Sequence, residues 1–278
     1  MSRVRIGLAL GGGSARGLAH IPMLEVFDEL GLKPAAIAGC SIGALIGAGY
    51  AAGMSAAEIR ERAEKLLANR MVAMRYVFGT RRTRLWDILS LRGLGSLHLK
   101  GEKLADIVLP DSVPRLIEDL SIPFKVIATD FEQRIERVID EGPLIPAVAA
   151  SIAIPGVILG PTIEGRVHVD GGVTNPVPFD HVRKGMDITV AIDVTGRPRP
   201  PARRHHSNME LAIGSLLIMF HQVAELRRAG NPPDIYIEPE IGDFRGVDFF
   251  RLKDMLQAAK PAKDRLKREL EKLIRKAS

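Results

Sequence analysis

Short, largely apolar runs alternate with longer segments of helical spacing along this chain. Residues 4–10, 35–38, 124–128, 188–194 and 234–238 read as strands, several of them apolar enough to be buried on both faces. Residues 18–27 follow the first strand with helical spacing and stop at Gly31. Residues 44–48 open a second helix, and Ser55-x-x-Glu58 is a capping box that starts a polar helix over Ala56–Leu67. Val167 and Val169 alternate with His168, which predicts a short strand ending at Asp170. The alternation predicts an α/β fold, a mainly parallel sheet covered on both faces. The active site of such a sheet lies at the carboxyl ends of its strands. The pattern runs through residues 1–278, so a single domain is expected.

Three glycine clusters carry the candidate chemistry. Gly39-Cys40-Ser41-Ile42-Gly43 closes one strand and opens a helix. A serine with glycine two residues to either side of it, at a strand-to-helix turn, is a nucleophile elbow: bulky groups there would clash, and the hydroxyl stands clear. The chain has 27 glycines, so the pentapeptide alone also fits a plain small-residue turn. Gly11-Gly12-Gly13-Ser14-Ala15-Arg16-Gly17 lies between the first strand and the first helix. Such a loop aims backbone N–H groups at an anion. No Gly-Lys-Ser/Thr follows, which argues against a nucleotide P-loop. Neither frame gives Gly-x-Gly-x-x-Gly, which argues against a dinucleotide site. An oxyanion hole needs only two convergent N–H groups, and the elbow downstream favours it. Asp170-Gly171-Gly172 ends the short strand; it fits a residue aimed into a site and also an ordinary surface turn.

With these motifs in this order, the chain resembles the patatin-like phospholipases, in particular the small bacterial single-domain members. The resemblance extends to residues 149–155 (Ala-Ala-Ser-Ile-Ala-Ile-Pro) and to 234–239 with Asp248-Phe249, so it covers nearly the whole chain. It implies a three-layer α/β/α fold and hydrolysis of lipid acyl esters by a Ser–Asp dyad without a catalytic histidine. It places the nucleophile on Ser41 and the proton acceptor on Asp170. It places oxyanion donors on the backbone of Gly12, Gly13 and Ser14, with Arg16 and Gly17 in the same loop. Gly39 and Gly43 are then the elbow glycines, and Gly171 and Gly172 complete the Asp-Gly-Gly motif. Two positions depart from the family pattern: Ser14 stands where glycine is usual, and Cys40 where threonine is frequent. Cys40 is the sole cysteine and is expected to be a small buried residue. An aspartate serves as base when desolvation raises its basicity, which a pocket for acyl chains supplies.

A Ser-His-Asp triad is the rival. His168 lies two residues from Asp170 on the same strand face, and His20 follows the glycine loop. His98, His181, His205, His206 and His221 are the others, and none sits in a short late loop after the acid. An acyltransferase or thioesterase would use the same acyl-enzyme, and a non-catalytic lipid- or protein-binding module would keep only the fold. No metal-ligand cluster or cofactor motif is evident, so neither is expected.

Composition and charge then narrow the partners. A hydrophobic content of 46% is ample for a core, and one cysteine excludes an internal disulfide and suits a reducing compartment. The apolar run at 4–10 is too short for a signal peptide. The longest apolar stretch, 211–223, is shorter than a membrane span. It reads as a helix buried against the sheet or lining the pocket. A cytoplasmic protein that visits the inner membrane surface is expected. The net charge of +6 favours anionic partners. No nucleic-acid motif is present and aromatics are 5%, so anionic lipid is the better match. Residues 69–99, basic and apolar without an acidic residue over 69–84, are a candidate cap. Residues 196–208 read as a flexible Pro/Arg-rich loop. Residues 251–278 read as helices broken near Pro261, with charges of both signs on a solvated face.

Overall fold

The computed structural model describes residues 4–68, 99–197 and 208–277. The cap candidate at 69–99 and the loop at 196–208 therefore lie almost wholly outside the described residues. In chain order the elements are β1 (Ile6–Leu10), α1 (His20–Glu29), β2 (Ala36–Cys40), α2 (Ile42–Ala51) and α3 (Ala56–Leu67). Next come β3 (Leu99–Lys100), α4 (Gly101–Val108), β4 (Phe124–Asp130), β5 (Ile135–Ile139) and α5 (Leu144–Ser151). Then follow β6 (Ile158–Leu159), β7 (Thr162–Ile163), β8 (Arg166–Asp170), β9 (Ile188–Ile192), α6 (Asn208–Gly230) and β10 (Ile235–Ile237). The chain closes with α7 (Leu252–Ala258) and α8 (Lys260–Ala277). The expected strands and helices are present, and the Ser55–Glu58 capping box forms with both of its reciprocal bonds. The last two helices part at Ala259, and Pro261 sits in the first turn of α8, where its missing N–H is no loss.

The main sheet has the order β10-β9-β1-β2-β4-β8-β7, with β5 also on β4. The five strands from β10 to β4 are parallel; β5, β7 and β8 add antiparallel pairs. One junction in this sheet decides where the site lies. β5 runs along Val126–Asp130 on one edge of β4. The other edge is shared: β2 pairs with Phe124–Ile127, and β8 takes over at Ala128–Asp130. Because β8 runs antiparallel, its carboxyl end meets the carboxyl end of β2 head to head.

The two faces of the sheet are covered unequally, for a reason visible in strand alternation. Ile6, Leu8 and Leu10 of β1 enter one large core with Ile37, Val190 and Ile192. That face carries α1 to α5, α7 and α8. The opposite face is paved with small residues, Gly7, Ala9, Ala36, Ala38 and Ala191. A single turn, Phe179–Val182, presses directly onto it, so closely that a Cβ at Gly7 would stand 1.9 Å from the Val182 carbonyl oxygen. The carboxyl half of α6 completes that layer through Ala224. The three layers are therefore present, but among the described residues one is thin. Among the described residues no helix is long and apolar enough to cross a membrane.

Candidate active site

Ser41 links the last residue of β2 to the first of α2 at φ 53° and ψ −124°, a conformation L-residues rarely adopt. Its glycine neighbours allow the turn. A Cβ on Gly43 would lie 2.1 Å from the Leu10 carbonyl oxygen, and one on Gly39 would lie 2.6 Å from Ala44 Cα. The Ser41 carbonyl accepts the N–H groups of Ala44 (2.8 Å) and Leu45 (3.1 Å), which starts α2 and leaves its positive end beside the hydroxyl.

The sheet junction supplies the partner. Cys40 pairs with Ile127, and the next residue of β4, Ala128, pairs with Asp170. Residues 41 and 170 thus reach the same point on β4 from opposite directions. The Ser41 hydroxyl donates to Asp170 Oδ2 at 2.6 Å, and Asp170 Oδ1 accepts the Gly172 N–H at 2.8 Å. Both side chains are buried, with exposures of 3% for Ser41 and 0% for Asp170. Burial pushes the Asp170 carboxyl from its ordinary 3.8 up to about 7, against the two hydrogen bonds that favour its charged form. The same burial, with the Asp170 charge second, pushes the Cys40 thiol well up, so this cysteine is a neutral packing residue.

The glycine loop lies against the elbow: a Cβ on Gly12 would stand 3.2 Å from Ser41 Cβ. Its N–H groups divide. Gly12 donates to the Pro176 carbonyl at 2.8 Å, whereas among the described residues the N–H groups of Gly13 and Ser14 have no acceptor. Gly12 therefore contributes space beside Ser41, and the uncommitted donors are those of Gly13 and Ser14. Ser14 has φ 53°, which accounts for glycine being usual at this position. Its hydroxyl donates to the Gly246 carbonyl at 2.6 Å, and the Ala15 N–H binds the same oxygen at 3.1 Å. Arg16 commits its guanidinium to the carbonyls of Phe244 (2.7 Å) and Thr195, which ties the loop to later segments. Gly17 packs against Ile42, the first residue of α2.

Among the described residues no histidine bonds to Ser41 or Asp170. His20 is buried with its Nε2 at 2.8 Å from the Gly11 carbonyl, and burial lowers it to about 4. It is therefore a neutral donor that anchors the loop. His168 shares the face of β8 with Asp170 as expected, but its Nδ1 meets the Arg166 carbonyl at 3.0 Å. Two groups of metal-ligand type converge, Glu136, Asp180 and His181, and Asp193, His221 and Glu238. Protein donors already occupy carboxylates in both. Asn175 Nδ2 and Arg227 join Glu136 to Asp180, and Arg197 and Arg228 hold Glu238. The first network braces the Asp-Gly-Gly loop, since the Asn175 N–H also binds the Gly171 carbonyl at 2.8 Å. Spacing in the sequence does not reveal these networks, because their members come together only through tertiary contact.

The family model for patatin-like phospholipase matches residues 8–183, from β1 past the Asp-Gly-Gly loop. The chain belongs to the patatin-like phospholipase family. An uncharacterized NTE family protein of Mycobacterium tuberculosis is 37% identical over 212 residues, which is 75% of this chain and 54% of that protein. Patatin-like phospholipase domain-containing protein 7 of Rattus norvegicus is 34% identical over 69% of this chain and 14% of its own length. The human domain-containing protein 6 is 32% identical over 68% of this chain and 13% of its own. The chain thus spans about half the length of the mycobacterial relative, and a small part of the mammalian ones. The crystal structure of VipD from Legionella pneumophila covers 95% of this chain and 67% of its own at 14% identity, with a TM-score of 0.47.

Proposed function

We propose that this chain is a serine lipid acyl hydrolase that cleaves carboxylic esters of phospholipids, lysophospholipids or simpler lipid esters through a Ser41–Asp170 dyad. The observation that carries the reading is the 2.6 Å bond from the Ser41 hydroxyl to a carboxylate that burial has made basic. Asp170 takes the hydroxyl proton as Ser41 Oγ attacks the ester carbonyl. The N–H groups of Gly13 and Ser14 receive the developing oxyanion, each such donor contributing roughly 3–4 kcal/mol. The tetrahedral intermediate collapses, the C–O bond to the alcohol breaks, and the alcohol leaves with the proton from Asp170. Water, giving its proton to Asp170, then attacks the Ser41 acyl ester; the bond from the acyl carbon to Ser41 Oγ breaks, Asp170 returns the proton to Ser41 Oγ, and the fatty acid leaves.

The test is a panel of acyl esters of graded chain length, assayed with wild type, Ser41→Ala and Asp170→Asn. Hydrolysis by wild type, and its loss in both variants, is expected. Activity that survives either replacement refutes the dyad, and turnover of thioesters above esters favours the transferase or thioesterase reading.

The same reading includes peripheral contact with an anionic membrane surface. The outer face of α6 supports it: Leu211, Ile218, Met219 and Leu226 are each more than half exposed. The inner face packs Phe220 onto the Asp-Gly-Gly loop, where a Cβ at Gly172 would stand 2.3 Å from the ring. Sedimentation with anionic vesicles checks it. Ile218→Glu combined with Met219→Glu is expected to leave the protein in the supernatant; unchanged binding would contradict this orientation.

A further inference from the structure

Ser151 ends α5, whose residues Leu-Ile-Pro-Ala-Val-Ala-Ala are otherwise apolar. It is fully buried. A buried hydroxyl is costly unless bonded, and a helical serine ordinarily satisfies itself on the carbonyl four residues back. Ser151 instead reaches out of its helix in two directions. It donates to the Ile127 carbonyl at 2.5 Å and accepts the Ser41 N–H at 2.7 Å.

Both partners lie at the junction where β4 changes from β2 to β8. The Ser41 N–H falls one residue beyond the last β2–β4 pair, Cys40 with Ile127; the β2–β4 register, set by the Ile37 N–H on the Pro123 carbonyl, would give it the Ile127 carbonyl, and the Ser151 hydroxyl stands between the two. Ile127 precedes Ala128, the partner of Asp170, and its carbonyl also abuts Gly171, where a Cβ would stand 2.1 Å away. Two residues after Ser151, the Ala153 carbonyl accepts the Asp170 N–H at 3.0 Å. One short segment therefore holds the main-chain N–H of both members of the pair. It holds Ser41 in a backbone conformation of the kind that costs about 1–3 kcal/mol and persists only where its surroundings over-determine it.

We infer that Ser151 is a positioning residue: its hydroxyl, oriented by the Ile127 carbonyl, fixes the Ser41 main chain and so the contact of Ser41 Oγ with Asp170. The inference rests on the Ser41–Asp170 reading above. Substitution by alanine removes the hydroxyl that bridges the Ser41 N–H and the Ile127 carbonyl, and frees the apex to relax toward an ordinary conformation.

The test uses the full chain and a soluble short-chain p-nitrophenyl ester, with active sites counted by exhaustive fluorophosphonate labelling. In Ser151→Ala, kcat per titrated site is expected to fall about ten- to hundredfold, the scale of an ångström-sized misplacement. KM is expected to stay within about twofold, because substrate binding is not what the hydroxyl serves. Ser151→Cys, similar in shape but a weak acceptor, gives the same readout where the alanine variant does not fold. An unchanged kcat per titrated site, with the loss confined to fewer sites or a lower melting temperature, would make Ser151 merely structural and overturn the inference. Ser41→Ala and Asp170→Asn are run alongside. Activity in these removes the dyad and the inference with it. If both are inactive while Ser151→Ala keeps its kcat, only the positioning role falls.

Discussion

At Asp170 the reactivity proposed for the pair works against folding stability. Its carboxyl is raised to about 7 by burial, so between about pH 4 and about pH 7 the folded protein holds a proton that the unfolded chain releases. The stability this proton contributes is full below the unfolded value and is lost as pH rises through about 7. Above that pH the folded protein keeps a buried charge that only the Ser41 hydroxyl and the Gly172 N–H offset among the described residues. Asp170→Asn removes the dependence. Urea unfolding of wild type and variant is expected to show the balance moving toward the variant between about pH 5 and about pH 8. A constant difference across that range would mean that the carboxyl is not raised. The identities of Ser41 and Asp170 are legible in the sequence because each is framed by glycines that a tight turn requires. Ser151 is not legible in the same way. In the run Ala-Ala-Ser-Ile-Ala it is one small residue among others, and its hydroxyl matters only through two partners distant along the chain.

At the scale of elements, the elbow depends on how closely α2 approaches β1. Gly43 lies in the first turn of α2 with the Leu10 carbonyl where a side chain would be. Gly43→Ala must push α2 away from the sheet, and is expected to lower the melting temperature and abolish labelling of Ser41 together. Gly214, inside α6, is the contrast: a Cβ there would meet nothing within 4 Å. Gly214→Ala is expected to stabilise by up to about 1 kcal/mol through helix propensity. Equal effects from the two substitutions, by thermal melt, would deny the close approach at Gly43. The strands were readable because central parallel strands are apolar on both faces, as at 4–10 and 188–194. The exchange of β2 for β8 on one edge of β4 was not, because register is a property of paired strands and no single segment encodes it.

The whole molecule is closed by α8, which returns to cover α1. Leu266 and Leu270 are fully buried in the large core, while Lys263 and Lys267 pair with Glu25 and Glu29 on the surface. Burial outweighs pairing at this contact. Leu266→Ala is expected to cost about 2–5 kcal/mol, and Lys267→Ala about 1 kcal/mol or less. Denaturant midpoints decide it, and a larger loss in the lysine variant would reverse the ranking. The layered α/β plan was legible from the alternation of strand and helix signals. The thinness of one layer follows from Gly7, Ala9, Ala36 and Ala38, small residues whose common face is defined only once β1 and β2 are aligned. All of this structure converges on one hydroxyl beside one basic carboxylate. The rate of fluorophosphonate labelling, followed against pH and mapped to a peptide, tests that arrangement most directly. Labelling of Ser41 alone, rising with a midpoint near the raised Asp170 value of about 7 and lost in Asp170→Asn, is the predicted result. Labelling at another serine, or at an undiminished rate in Asp170→Asn, would contradict the account.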